Sequence, residues 1–409
     1  MRKILHINEK GGRFGGTEEY IAALVTSMSR AGIGSHLIYD HAPGPLPEGL
    51  ASAVRIDGLG RRNFERDLSG DVLRIVAEIG PDIVYVHNIF DGRIMRALDA
   101  PGRAYRVLWY VHDHYPTCLT ELRALHPEQE AGLVCRKPLS EGCLSSISEG
   151  RCVKRDAGRI FGPADLAARR GLLESLRYAD AIIVVSTFMK QVLADNLPGI
   201  AAKTHVLPRQ VRMPVRPPAK PARDHHVVLY SGRVTPEKGL HIAIDALAQV
   251  RQDDGILFHI AGAIEDEAYW SRCLALAEEA RSRNPSLLIQ YEGHLAYDKI
   301  DALYGEADVV VVPSVWAEPS GTVVAEALVH GAAVVASDVG GMDTWLKDGT
   351  TGLLADPRRV ETFTAALERL LHDPVLRRRL AETGRRLVAQ NYTDAIHLAR
   401  LQDLVRALG

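Results

Sequence analysis

Short runs of apolar, often β-branched residues alternate along this chain with longer segments in which apolar residues recur every three or four positions. In the first half the short runs are KILHIN, SHLIYD, DIVYVHN, RVLWYVHD, DAIIVVS and THVLP. In the second half they are HVVLYSG, ILFHIAG, LIQYEG, DVVVVPS, AAVVAS and GLLAD. Most are apolar on both faces, as strands of a parallel sheet covered by helices must be. Segments such as EEYIAALVTSMSRAG and KGLHIAIDALAQVRQ lie between them with the period of amphipathic helices. Strands alternating with helices in this way predict doubly wound, Rossmann-like α/β domains.

With 409 residues, the chain is too long for one ordinary core. The alternation breaks at RQVRMPVRPPAKPARDHH, where five prolines fall between Pro208 and Pro221. A proline-rich segment is stiff and extended, so it reads as a linker between two similar domains. The expected organisation is a first domain over residues 1–208, a linker over 209–223, a second domain over 224–389 and a C-terminal helix over 390–409. Within the first domain, about 115–163 follows neither period and contains Cys118, Cys135, Cys143 and Cys152. Doubly wound domains bind ligands beyond the carboxyl ends of their strands. Two of them facing each other make a deep cleft, and every candidate residue below follows a strand.

Charge and composition narrow the function. Basic and acidic residues number 49 and 51 and are spread evenly over both halves, so there is no basic face for a nucleic acid. No apolar run approaches the ~18 residues of a membrane-spanning helix. The first strand, MRKILHIN, is too short in its apolar part for a signal peptide. The expected compartment is the cytoplasm, with Cys273 and the other four thiols reduced. GRIFGPADLAARRGLLESLRYA mixes apolar and basic residues; it reads first as a packed amphipathic helix and leaves open a peripheral contact with the inner face of a membrane.

The richest chemistry follows DVVVVPS, in WAEPSGTVVAEALVHG. Ser320, Gly321 and Thr322 fall at the first turn of a helix, where amides without intrahelical partners and the dipole favour an anion. Glycine at 321 permits close approach. Glu318 and Glu326 flank that turn. Carboxylates are repelled by a diphosphate, so they are placed to accept hydrogen bonds from neutral hydroxyls on either side of it. Glu326 lies about 9 Å along the helix from Ser320. Arg233 and Lys238, in RVTPEKGL after HVVLYSG, supply two cations for the same anion. In the first half, EKGGRFGGTEEY carries glycines 11, 12, 15 and 16 between strand and helix. Its spacing matches neither the dinucleotide fingerprint nor a Walker A loop, which counts against an NAD enzyme and an ATPase. YVHDHYPTC ends another strand with His112, Asp113 and His114; a structural hydrogen bond and a metal both remain open for such a pair of histidines. No Asp-x-Asp triplet is present to hold a cation on a diphosphate.

Together these motifs resemble the GT-B glycosyltransferases of the large retaining family four. SGRVTPEKG, ADVVVVPSVWAEPSGTVVAEAL, GAAVVASDVGG and DGTTGLL look like its donor-domain signatures, in the expected order, and Glu318 to Glu326 is its E-x7-E pattern. The resemblance implies two Rossmann-like domains across a cleft and a retaining, metal-independent transfer of a sugar. The donor is a UDP- or GDP-linked sugar; the acceptor is a glycan, a lipid-linked or a small-molecule sugar, as in polysaccharide biosynthesis. It implies that Arg233 and Lys238 bind the donor diphosphate, Glu326 the ribose and Glu318 the donor sugar. Gly16 then lies in a loop closing over the reacting centre, and His112 sits beside the transferred sugar. Base recognition falls to backbone around Gly262, Gly293 and His294. Two departures are VLPRQV, with Arg209 and Gln210 where relatives often have Pro-Asn-Gly, and the cysteine-containing insert. A sugar-nucleotide epimerase and a non-catalytic sugar-nucleotide binding protein are the alternatives on this fold.

An insert without periodicity needs some other source of order. Cys118, Cys135, Cys143 and Cys152 could hold a structural Zn²⁺ or an iron–sulfur cluster, apart from catalysis, which itself is expected to need no cofactor. Their intervals lack the paired C-x₂-C of common zinc motifs, and four unrelated thiols are the alternative.

Overall fold

The computed structural model describes residues 1–12, 15–60, 66–126, 133–154, 158–214, 220, 223–251 and 254–409. Much of the expected linker, at 215–219 and 221–222, therefore lies outside the described residues. The chain forms two compact units. The first comprises Met1–Glu121, Arg136–Gln210 and Asp394–Gly409; the second comprises Leu122–Cys135 and Val211–Thr393.

In the first unit, seven strands form one sheet: β1 (Lys3–Ile7), β2 (Gly34–Tyr39), β3 (Leu50–Arg55), β4 (Ile83–Val86), β5 (Arg106–Val111), β6 (Ala181–Val184) and β7 (Thr204–Val206). Their order is β3-β2-β1-β4-β5-β6-β7, and every pairing is parallel. The second unit has β8 (His225–Ser231), β9 (Gly255–Ala261), β10 (Leu287–Gly293), β11 (Val309–Val312), β12 (Ala333–Ser337) and β13 (Leu353–Ala355). They run β10-β9-β8-β11-β12-β13, again all parallel. In each sheet the order reverses once, between β1 and β4 and between β8 and β11, and such reversals open the crevices where ligands bind.

The twelve apolar runs of the sequence all become strands. β4, β6, β11 and β12 are buried along their whole length, which is why they read as unbroken apolar runs. β3 gave no such signal because LASAVR lies at the sheet edge with no buried residue.

The helix Pro163–Ser175 turns Leu166, Leu172 and Leu173 into the first core, so its apolar face is used internally. The last helix, Asp394–Ala407, adds Leu398 and Leu401 to the same core. The insert divides differently from the expected domain boundary. Leu122–Cys135 belongs to the second unit, where Ala124 and Val134 form an antiparallel bridge and Val134 packs against the hydrophobic cluster that includes Val211 and Val324. Among the described residues no helix is long and apolar enough to cross a membrane.

Candidate active site

In the second unit two loops meet where the strand order reverses. Arg233 follows β8 in a turn fixed by Tyr230, whose hydroxyl donates to the Arg233 carbonyl at 2.8 Å. Its guanidinium donates to Glu265 at 2.6 Å and to Glu237 at 3.1 Å. Lys238 closes the single 3₁₀ turn Pro236–Lys238. The amide of Val315, in the loop after β11, donates to the Glu237 carbonyl at 2.9 Å and joins the two loops.

The side chains join them again. Lys238 Nζ lies 2.5 Å from Glu318 Oε1 and 5.0 Å from the centre of the Trp316 ring. Ser314 Oγ donates to the same Glu318 oxygen at 2.8 Å. Glu318 is only 5% exposed. Burial alone pushes its carboxyl upward, but the Lys238 charge and the hydrogen bonds from Lys238 and Ser314 outweigh it, and the group stays below its ordinary range. Behind it, Gly341 N donates to the Glu318 carbonyl at 2.8 Å. Gly340 has φ +59°, and a Cβ there would stand 2.2 Å from that carbonyl oxygen, so glycine is required at both counts.

Ser320 is buried, and Gly321 precedes the helix Thr322–Val329 in the left-handed conformation with φ +64°. No side chain caps the helix, so Glu318 does not serve as its cap. Val324 N donates to the Gly321 carbonyl at 2.9 Å, while the amides of Thr322 and Val323 before it have no carbonyl within the helix to reach, as at any helix start. Glu326, half-buried, accepts from Tyr304 at 3.0 Å. Gly293 ends β10, its carbonyl accepting from Gly262 N at 2.8 Å, with His294 exposed beside it. Arg233, Lys238, Glu318 and residues 320–322 thus sit at the carboxyl ends of β8 and β11, and Gly262 and Gly293 at those of β9 and β10.

Gly16 and His112 belong to the first unit. Gly16 starts the helix Gly16–Arg30, and His112 follows β5. Neither ring nitrogen of His112 is open: Nε2 lies 3.0 Å from His87 Nδ1, and Nδ1 lies 3.0 Å from Arg209 Nη2. His87 Nε2 in turn lies 3.1 Å from His6 Nδ1. A guanidinium only donates, and this fixes the whole row. His112 Nδ1 accepts from Arg209, so its proton is on Nε2; His87 accepts that and passes its own to His6. His6 is left with an N–H on Nε2, and that buried atom has no partner. All three rings are fully enclosed. Burial holds each pKa down, His6 to about 3 with His36 adding to it, and His87 and His112 well below the ordinary value with Arg209 adding to both. The row is neutral.

A second chain anchors it. His397 Nδ1 donates to the Pro208 carbonyl at 3.0 Å, and its Nε2 accepts from Tyr20, whose hydroxyl also lies 3.0 Å from that of Tyr85. Tyr20 stacks on Tyr110 at 4.8 Å. Sequence reasoning missed His87 and Arg209 as the partners of His112, and His6 and His397 in the network around them. His87 carries the same signal as His112, a histidine ending an apolar strand; His6 lies within a strand and His397 in a helix, where nothing local marks them. Glu237, Glu265 and Ser314 were missed because their neighbours are set by topology.

Of the four cysteines of the insert, Cys118, Cys143 and Cys152 belong to the first unit and Cys135 to the second. Among the described residues no group of three or more His, Cys, Asp or Glu side chains could hold a metal ion. The thiols serve local turns: Cys118 Sγ meets Thr120 Oγ1 at 3.4 Å, and Cys143 Sγ accepts from Ser140 N at 3.5 Å. No cysteine is in a disulfide. Arg169 orders part of the insert. It is 4% exposed, donates to the carbonyls of Tyr115 and Cys118, and lies 3.4 Å from the centre of the Tyr115 ring.

Two family models match in tandem, Glycosyltransferase Family 4 over residues 14–212 and Glycosyl transferases group 1 over 215–387. Among curated proteins, glycogen synthase of Mycobacterium tuberculosis is 31% identical over 58% of this chain and 57% of its own length. Alpha-D-kanosaminyltransferase of Streptomyces kanamyceticus is 32% identical over 46% of this chain and 47% of its own. The chain therefore spans only about half the length of these relatives. Among solved structures, sucrose-phosphate synthase from Thermosynechococcus elongatus superposes with a TM-score of 0.71 at 21% identity, over 100% of this chain and 99% of that one. HepE of Anabaena, solved with UDP and glucose, gives 0.71 at 17% identity over 100% of both chains.

Two parallel sheets of this order, with a basic and carboxylate-lined crevice at the reversal of the second, define a two-domain Rossmann-like fold of the GT-B type. With both family models spanning nearly the whole of it, the chain belongs to the group 1 glycosyltransferases of that fold.

Two outcomes follow from the charges. Replacing Lys238 by alanine leaves Glu318 buried without its cation, a change that costs on the order of 3–5 kcal/mol. Lys238→Ala is expected to melt well below wild type, and adding Glu318→Gln to recover part of the loss; thermal melts of the two singles and the double check it. His6 and His397 have folded pKa values of about 3 and about 4, both lowered chiefly by burial, with Arg400 lowering and the Pro208 hydrogen bond raising the latter. Unfolding lets each protonate near its ordinary pKa of about 6.5. Their contribution is complete above about pH 6.5 and drains away as pH falls toward 3–4, roughly 2–3 kcal/mol each by pH 4.5. Melting temperature should fall steeply from pH 7 to 4.5, and His397→Gln should flatten that slope.

Proposed function

We propose that this chain is a retaining glycosyltransferase that moves a sugar from a nucleotide diphosphate sugar to a sugar-containing acceptor. The observation that carries the proposal is the convergence of Arg233, Lys238, Glu318 and the uncapped helix start at Gly321 on the β8–β11 reversal. The two cations and the first-turn amides would hold the diphosphate, and the negative charge that develops on it as the sugar leaves is stabilised by groups already in place. Glu318 would meet the donor sugar and Glu326 the ribose. Since Arg233 and Lys238 stand in carboxylate contacts, a bound diphosphate has to share or replace these partners.

In the proposed step the bond between the sugar C1 and the diphosphate oxygen breaks, and a bond forms from the acceptor oxygen to C1 on the same face. The acceptor's proton goes to the departing phosphate oxygen. Glu318 has one oxygen held by both Lys238 and Ser314, which disfavours it as a nucleophile for double displacement. The two cations make a metal on the diphosphate unnecessary. HepE, solved with UDP, and with UDP-glucose in another complex, makes UDP-sugars the first donors to try.

The test is transfer from UDP-, GDP- and ADP-linked α-sugars to mono- and disaccharide acceptors, with the product anomer read by proton NMR. An α-linked product, formed equally well with EDTA, is expected. Arg233→Ala should lower turnover by about 10²–10³. A β-linked product would overturn retention, and epimerised donor without acceptor would favour the epimerase.

A further inference from the structure

Arg209 stands apart from the donor-side groups and is held more tightly than a surface arginine needs to be. The chain on either side of it is pinned. His397 takes the Pro208 carbonyl, and Gln210 Nε2 donates to the Tyr20 carbonyl at 3.2 Å. The guanidinium donates to His112 at the end of the neutral histidine row. Its Nε is buried and has no partner, and no Asp or Glu among the described residues forms an ion pair with it. A partly buried cation that meets only neutral rings is unfavourable in the empty protein. The row cannot offset the charge, because each imidazole is already committed by the orientation that Arg209 imposes.

The other side of the guanidinium faces the glycine loop. A Cβ on Gly16 would fall 2.6 Å from Arg209 Nη1, so the absence of a side chain at 16 leaves room for the arginine. The helix beginning there has no side-chain cap at Gly15. Of the two acidic residues in its first turn, Glu18 is buried and accepts from Asn8 Nδ2 at 3.1 Å. Glu19 adds negative charge, so attraction for an anion has to come from the guanidinium.

We infer that Arg209 reads an anionic group of the ligand, holding a phosphate or carboxylate oxygen beside Gly16, with the His112–His87–His6 row fixing the orientation of its guanidinium. A phosphate would come with the donor; a carboxylate would come with an acidic sugar. The choice of probes rests on the transferase reading, but the anion site does not. In this role His87 and His6 are positioning residues that act through His112.

The test uses the full chain labelled with ¹⁵N-histidine, whose long-range ¹⁵N–¹H spectra distinguish the two tautomers. At pH 7 the row should show three neutral rings protonated on Nε2. Inorganic phosphate, UDP and glucuronate are then titrated separately. The inference expects at least one to shift the His112 and His87 resonances saturably while His36 and His241 stay still. By calorimetry, binding of that anion should weaken roughly tenfold or more in Arg209→Met and recover partly in Arg209→Lys. A shift with UDP and phosphate assigns the group to the donor; a shift with glucuronate alone assigns it to an acidic acceptor. If UDP fails to bind but phosphate or glucuronate still moves His112, the anion site stands and the transferase reading falls. If UDP binds wild type and Arg209→Met equally and no anion moves the row, Arg209 is structural and the inference is wrong. Spectra of the wild-type chain decide this even if Arg209→Met does not fold.

Discussion

The contact between Lys238 and Glu318 holds the second unit's crevice in its shape. It bridges the loop after β8 and the loop after β11, two segments 80 residues apart in sequence, at 2.5 Å and with little solvent access. A lone carboxylate in that position would favour its neutral form. With Lys238 and Ser314 on the same oxygen it remains charged, and its carbonyl remains seated against Gly340 and Gly341. Lys238 and Arg233 are therefore positioned before any ligand arrives. Such preorganisation matters more to the stabilisation of developing charge than the number of cations does.

The first unit uses the opposite arrangement. There His6, His87 and His112 are neutral and are ordered by hydrogen bonds that start from the Arg209 guanidinium rather than by ion pairs. Three imidazoles in a row, each donating in the same direction from Arg209, form a network in which reversing one ring would place two donors or two acceptors together. His112 is immobilised by this row at both nitrogens. Any contact it makes with a ligand in this state uses ring edge or backbone, unless Arg209 yields its place.

How much of this the sequence revealed depended on the range of the interaction. Strands buried on both faces, such as VVVV in β11, write their burial as an unbroken apolar run, and the fold class followed from them. β3 wrote nothing because an edge strand with no buried residue has no such constraint. Arg233, Lys238 and Glu318 were visible as strand-end residues with the right charges, but not their pairing. The Lys238–Glu318 contact and the pairing of Arg233 with Glu265 depend on which strands lie side by side. The histidine row joins positions 6, 87, 112 and 209, which no local spacing connects. The order of the irregular insert was hidden for a related reason: a buried arginine 17 residues beyond Cys152 reaches back to the Cys118 carbonyl, and no local spacing marks it.

A crystal structure of the chain soaked with UDP would test most directly whether these paired cations form a diphosphate site. The expected result is a diphosphate at the carboxyl ends of β8 and β11, with Arg233 and Lys238 turned onto its oxygens and the amides of residues 320–322 beside it. A diphosphate bound elsewhere, or bound there while both cations keep only their carboxylate partners, would contradict that assignment.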